Sequence, residues 1–153
     1  MRRTKQQLTQ EETFSILARC SNGVLACLGD NGYPYAVPLN FVYYNEKIYF
    51  HAAKAGHKID ALAKNSKVSF TVVAEDNVIS EKYTSHFLSV IVFGKARIVE
   101  GEERNAAFAA LVEKYASDRP VEEKQWQIKR CTRSVVFAID IEHIAGKQKG
   151  REN

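Results

Sequence analysis

His51, His57 and Lys58 stand within eight residues of one another, in the run HAAKAGHK. His51 falls near the end of a strand-like segment, and a short helix is predicted to start near Gly56, with Ile59, Leu62 and Ala63 on its buried side. No Ser, Thr, Asp or Asn caps that start, so its first N–H groups are free for another acceptor. Lys58 falls in the first turn, where the helix dipole disfavours a cation by roughly 0.3–1 kcal/mol. A bound anion reverses that penalty, and free N–H groups beside His and Lys are what a phosphate site needs. The same residues also read as an exposed, uncapped helix start with two solvated charges. A metal site from His51 and His57 is not expected, because one lies at a strand end and the other in a helix turn. No nucleophile–base pair stands out, so no catalytic residue is assigned.

The preceding segment must position these groups. Tyr35, Val37, Leu39, Phe41 and Tyr43 alternate with Pro34, Ala36, Pro38, Asn40 and Val42. That period of two predicts a strand with one face in a core. The second face is small and polar and leaves room for something flat. Its two prolines place it at an edge or a bulge. A strand over 47–52 follows. A two-residue Asn45-Glu46 turn sets Tyr44 opposite Lys47, Phe41 opposite Phe50, and Asn40 opposite His51 on the open face.

The rest of the chain supplies a frame. Thr9 and Glu12 form a capping-box spacing that starts a helix to about residue 20, with Phe14, Leu17 and Ala18 as its apolar stripe. Strands are expected over 23–28, 67–73, 87–99 and 133–142. The polar stretch 75–84 reads as a loop and 146–153 as a frayed tail. The segment 87–99 is apolar on both faces in its first half, which predicts a central strand, and Gly94 marks a bulge or a close backbone approach. Helices are expected from 101 to 115, carrying Phe108, Leu111, Val112 and Tyr115, and from Pro120 to 130. Hairpin spacing dominates, so the chain is read as mainly β with peripheral helices, a six-stranded antiparallel barrel in one domain over residues 1–153.

Composition narrows the function classes. The chain has 153 residues, 45% hydrophobic and 26% charged, with a net charge of +4, which fits an ordinary globular domain. Much of the positive charge sits at the ends, in Arg2, Arg3, Lys5, Lys147, Lys149 and Arg151, and no basic residues interleave with aromatics, so nothing selects nucleic acid. Cys20, Cys27 and Cys131 are odd in number and widely spaced, which argues against a disulfide framework or a zinc site. No apolar run is long enough to span a bilayer, and the N-terminus carries no apolar leader segment. A reduced, cytoplasmic protein without membrane partners is expected.

The segments GVLACLGDNGYPYAVPLNF, KIYFHAAKAGHKIDALAKN, SVIVFGKARIVE and IEHIAGK, in that order, resemble the flavin-binding split-barrel superfamily typified by pyridoxamine 5'-phosphate oxidase. The likeness is closest to the nitroimidazole-resistance-type flavin proteins. This resemblance implies a homodimer with FMN at the subunit interface. It implies that His57 and Lys58 meet the flavin phosphate, that His51, Ala52 and Ala53 at the strand end contact the flavin, and that Pro38, Leu39 and Asn40 run past the isoalloxazine ring. Ser89 stands where the oxidases carry a ring-contacting Gln, and His57 where they carry Arg. The oxidases' C-terminal substrate motif has no visible counterpart, which argues against pyridoxamine phosphate as substrate. His86 and His143 read as structural or exposed. Trp126 reads as a packing residue, with a helix reaching the partner's flavin as the alternative.

The expectation is an FMN-dependent oxidoreductase reducing a small molecule such as a nitro-aromatic, with the flavin carrying the redox chemistry. The alternatives are a flavin-, deazaflavin- or haem-holding sensor of the same fold, with His51 the residue facing a haem, and a small barrel that binds nucleic acid or protein.

Overall fold

The computed structural model describes residues 4–150; Arg2, Arg3 and Arg151 lie outside it. The capping box forms as its spacing requires. Glu12 N–H donates to the Thr9 hydroxyl at 3.2 Å, and Thr9 N–H donates to the Glu12 carboxylate at 2.9 Å. The helix it opens, α1 (Gln10–Arg19), buries Thr13, Ile16 and Leu17. Ala18 is exposed and Phe14 half-buried, so the buried stripe is turned slightly from the one expected.

The strands are β1 (Asn22–Leu28), β2 (Pro34–Asn40), β3 (Val42–Tyr44), β4 (Lys47–Ala53), β5 (Lys67–Ile79), β6 (Thr84–Val99) and β7 (Ser134–Lys149). They form one antiparallel sheet in the order β2-β1-β5-β6-β7-β4-β3. The two edge strands, β2 and β3, are separated in sequence by Phe41 alone. Laid flat, seven strands span six spacings of about 4.8 Å, roughly 29 Å, whereas residues 40 and 42 lie at most about 7.6 Å apart. The sheet must therefore roll until its edges meet, and the barrel follows from the connectivity. Seven strands appear where six were expected because the ladder breaks at Phe41 and divides one expected strand in two.

The segment 75–79, read as loop, continues β5 past a bulge at residue 74 and pairs with 84–88. The tail read as frayed pairs with β6 as far as Lys149. At 75–79, 84–87 and 147–149 no residue of the ribbon is fully buried, so nothing there imposes the alternation by which a strand is recognised. Gly94 sits at the register shift of β6 against β7, and a Cβ there would strike the Asp140 carbonyl, as its position in an apolar strand implied.

Leu25, Phe41, Ile48, Phe50, Phe70, Val90, Val92 and Ile139 fill the barrel and are fully buried. A second cluster lies outside the barrel wall. There Val42, Tyr49, Val99, Val136 and Ala138 meet Ala107, Phe108 and Leu111 of α3 (Gly101–Ala116). Val42, expected on the open face, is buried under that helix. Arg97 anchors the start of α3, pairing with Glu103 at 2.9 Å and with Asp140 at 2.7 Å, while the Tyr49 hydroxyl donates to Glu103 at 3.0 Å. The remaining helices are α2 (His57–Lys64) and α4 (Val121–Arg130), and α4 buries no residue.

The Asn45-Glu46 turn places both residues at positive φ, 48° and 60°, the geometry of a type I′ hairpin. A glutamate there carries about 1–2 kcal/mol of left-handed strain. Glu46→Gly is expected to stabilise the fold by about 0.5–1 kcal/mol after its added chain entropy, read as a rise in the urea midpoint at constant slope.

Candidate functional site

The register predicted through the turn holds for Tyr44 and Lys47 and continues to Val42 opposite Tyr49, where it stops. Asn40 pairs with Asn22 of β1, not with His51, and Phe41 pairs with no strand residue. The expected faces survive this correction: Phe41 and Phe50 are fully buried, and Asn40 and His51 line one cavity. The strands diverge at Phe41, on the other edge of β2 from the one that pairs with β1. The backbone of Phe41 is taken by α3. Phe41 N–H donates to the Tyr115 hydroxyl at 3.0 Å, and the Phe41 carbonyl lies 2.7 Å from that hydroxyl and 2.9 Å from the Lys114 ammonium. Lys114 also donates to the Cys20 carbonyl, and the Tyr115 hydroxyl also meets the Ser21 carbonyl.

Without these side chains a buried N–H and C=O would be orphaned at the joint. Tyr115→Phe is expected to cost about 1–3 kcal/mol, and faster hydrogen exchange at the Phe41 amide would show the loss to be local.

Past the joint, β2 pairs only with β1, and Phe50–Ala53 pair only with β7. A split with two unpaired backbone edges therefore opens between β2 and the end of β4. Pro34 and Pro38 sit on its β2 edge, where a missing N–H costs no ladder bond. Pro38 and Asn40 face outward. Leu39 turns inward against the core, so only its backbone reaches the split. Likewise His51 and Ala53 are exposed and Ala52 is buried.

α2 begins beyond the split. Its cap, Gly56, has φ 140° and offers no side-chain hydrogen bond to the helix start. His57 turns back toward the β1–β2 connection. Its ring meets Tyr35 edge-on at 4.6 Å, and its Nδ1 lies 3.8 Å from Asp30, which also accepts from Lys64 at 2.9 Å. Lys58 is half-buried and, among the described residues, has no ion pair or hydrogen bond. Its charge reaches inward: burial first and Lys58 second hold the His51 imidazole below its usual pKa, so His51 is neutral at neutral pH. Burial pushes the Cys27 thiol up against the opposing pull of Lys58. Ala61 and Leu62 are buried, but Ala63, expected beside them, is exposed.

Ser89 lies apart from this group, on the outer face of β6 between Val73 and Lys147. That face carries a feature the alternation did not reveal. Val24, Leu28, Val73, Ile91 and Phe93 all point outward, and Phe93 is 51% exposed. The sequence signal was a β6 segment apolar on both faces, which predicts a central strand; β6 is indeed the middle strand of the seven, but that pattern did not say that its outer face would lie exposed.

A cavity of about 410 Å³ completes the site. Asn40, His51 and Tyr115 border it, Phe108, Leu111, Val112 and Ala116 floor it, and Arg119, Glu123, Lys124 and Gln127 stand at its mouth. Phe108, Leu111, Val112 and Tyr115 read only as the apolar stripe of a helix, and Arg119, Glu123, Lys124 and Gln127 carry no sequence signal of a site, because their meeting with Asn40 and His51 is a long-range event. Among the described residues no cluster of three His, Cys, Asp or Glu could hold a metal ion. No helix among them is long and apolar enough to cross a membrane.

A family model described as pyridoxamine 5'-phosphate oxidase matches residues 9–148. Comparison with curated proteins gave no match. Among solved structures, a candidate 5-nitroimidazole antibiotic resistance protein from Bacteroides thetaiotaomicron superposes with a TM-score of 0.76 at 22% identity, covering 93% of this chain and 86% of that one. The flavocytochrome Anf3 from Azotobacter vinelandii gives 0.76 at 22% identity, over 99% of this chain and 72% of that one. An FAD-binding protein from Mesorhizobium loti gives 0.66 at 24% identity, over 95% and 98%. At these identities the likeness is one of fold.

Proposed function

Since the chain belongs to the pyridoxamine 5'-phosphate oxidase family, we propose that it is an FMN-binding oxidoreductase of small molecules, working as a homodimer in a reducing, cytoplasmic setting. The observation that carries this reading is Lys58, a half-buried cation with no partner among the described residues, in the first turn of a helix whose cap has no side-chain hydrogen bond. A phosphate would accept from the free N–H groups of α2 and from Lys58. His57 is turned toward Asp30, so its contribution would come from its backbone N–H.

The chain's other groups fit a flat ring beyond that phosphate. Pro38 and Asn40 present a shallow outer surface, the unpaired edges of β2 and β4 offer backbone donors and acceptors, and the Asn40 side chain is held by a 2.9 Å bond to the Ser21 carbonyl. Bound flavin supplies hydride and electron transfer. The protein's part is to hold the ring, keep a neutral His51 beside it, and seat the substrate in the α3–α4 cavity. The outward apolar face of β1, β5 and β6 supports a second copy as its cover.

A sensing role with haem keeps one specific support: His51 is neutral and exposed at the cavity, as an iron ligand must be, and one structural relative is a flavocytochrome. Absorbance of the purified protein separates the readings. Flavin bands support the proposal, a Soret band supports the haem reading, and failure of the apo protein to bind added FMN overturns the proposal.

A further inference from the structure

The three charged side chains lining the α3–α4 cavity are already matched. The Arg119 guanidinium donates to Glu123 at 2.9 and 3.3 Å. The Lys124 ammonium donates to Glu113 at 3.1 Å and to the Ser117 carbonyl at 3.3 Å. Its side chain is only 16% exposed. The floor behind them is apolar, and Asn40 and His51 supply uncharged polar groups on the inner wall. An anion entering this space would meet the Glu123 carboxylate beside Arg119, which offsets the attraction of that guanidinium, and would lose its hydration against Phe108 and Leu111. A neutral aromatic ring meets none of these costs and covers the floor.

We infer that the cavity takes uncharged aromatic molecules and rejects anionic ones, and that Glu123, by occupying Arg119, is the residue that sets this selectivity. The inference rests on the reading of the cavity as the substrate's seat. It also separates this chain from an enzyme that holds a phosphorylated substrate at the same mouth, because among the described residues the one guanidinium lining the cavity is paired with the carboxylate four residues further on.

The test uses two probes of nearly the same shape and different charge, 4-nitrobenzamide and 4-nitrobenzoate, titrated calorimetrically into the flavin-free full chain. The native protein is expected to bind the amide at least tenfold more tightly than the benzoate. Glu123→Gln frees Arg119 and should raise benzoate affinity about tenfold, with amide affinity changed less than twofold. Adding Arg119→Met to that variant should cancel the gain. Equal affinity for both probes in the native protein overturns the inference. So does unchanged selectivity in Glu123→Gln, or no binding of either probe at millimolar concentration by protein with an intact circular dichroism spectrum. FMN titrated into the same samples reads the cofactor site separately. FMN binding without probe selectivity defeats this inference alone, and probe selectivity without FMN binding defeats the cofactor reading alone.

Discussion

Lys58→Met is expected to weaken FMN binding by about 10- to 100-fold and to leave riboflavin binding nearly unchanged. A hydrogen bond to a charged group is worth about 1.5–3 kcal/mol, and each 1.4 kcal/mol is about tenfold in affinity. Methionine keeps the unbranched stem, so packing against the barrel end should survive, and the fold with it. Among the described residues Lys58 has no ion pair to lose, so the substitution leaves no carboxylate of theirs stranded. Removing the cation also relieves its repulsion of the His51 imidazole, whose pKa should rise toward its ordinary value because one of the two causes holding it down is gone. Titrating both flavins into both apo proteins, with His51 followed by NMR against pH, checks each part. Equal losses for FMN and riboflavin would mean that Lys58 acts through the ring or through folding, and the phosphate assignment would fall.

Ile91→Glu should turn the protein into a monomer at micromolar concentration. Ile91 lies at the middle of the outward face, beside Thr71 on β5 and Ala145 on β7, and is 41% exposed in the single chain. A glutamate there is solvated in the monomer, so the isolated subunit should fold with nearly unchanged stability. Across a two-fold interface the substitution buries two unpaired carboxylates close together. An uncompensated buried charge costs about 3–5 kcal/mol, which makes the dimer at least about 100-fold weaker. Sedimentation velocity gives the assembly, and circular dichroism gives the fold. If FMN is held between subunits, its affinity should fall with dimerisation and recover at protein concentrations that restore the dimer. A variant that remains a dimer with native FMN affinity would remove this face from the interface.

Local rules were enough for much of the chain. Thr9 and Glu12 announced a helix start, Asn45-Glu46 announced a two-residue turn, Gly94 announced a close backbone approach, and the alternation from Tyr35 to Phe41 announced which side chains enter the core. Each of these is settled within a few residues by capping geometry, turn sterics or the pleat, so composition and spacing carry it. The uncapped start of α2 and its lysine belong to the same class.

Tertiary structure decided the rest. Whether the β3–β4 ladder continues to Asn40 and His51 is settled at Phe41, whose backbone is taken by Tyr115 and Lys114 of α3, more than seventy residues away in sequence. That long-range capture opens the split, and no local pattern encodes it. The cavity likewise exists only because two helices fold back over β2 and β4. β6 is central, as its two apolar faces predict, yet its outer face stays exposed in the single chain, because a hydrophobic pattern records that a surface must be covered and not which chain covers it. The sequence by itself thus determined the strands, the turn and the cationic helix start. Only the closing of the barrel decided which edges stay unpaired, which helix seals the joint, and where a neutral His51 and the Arg119–Glu123 pair face a common space.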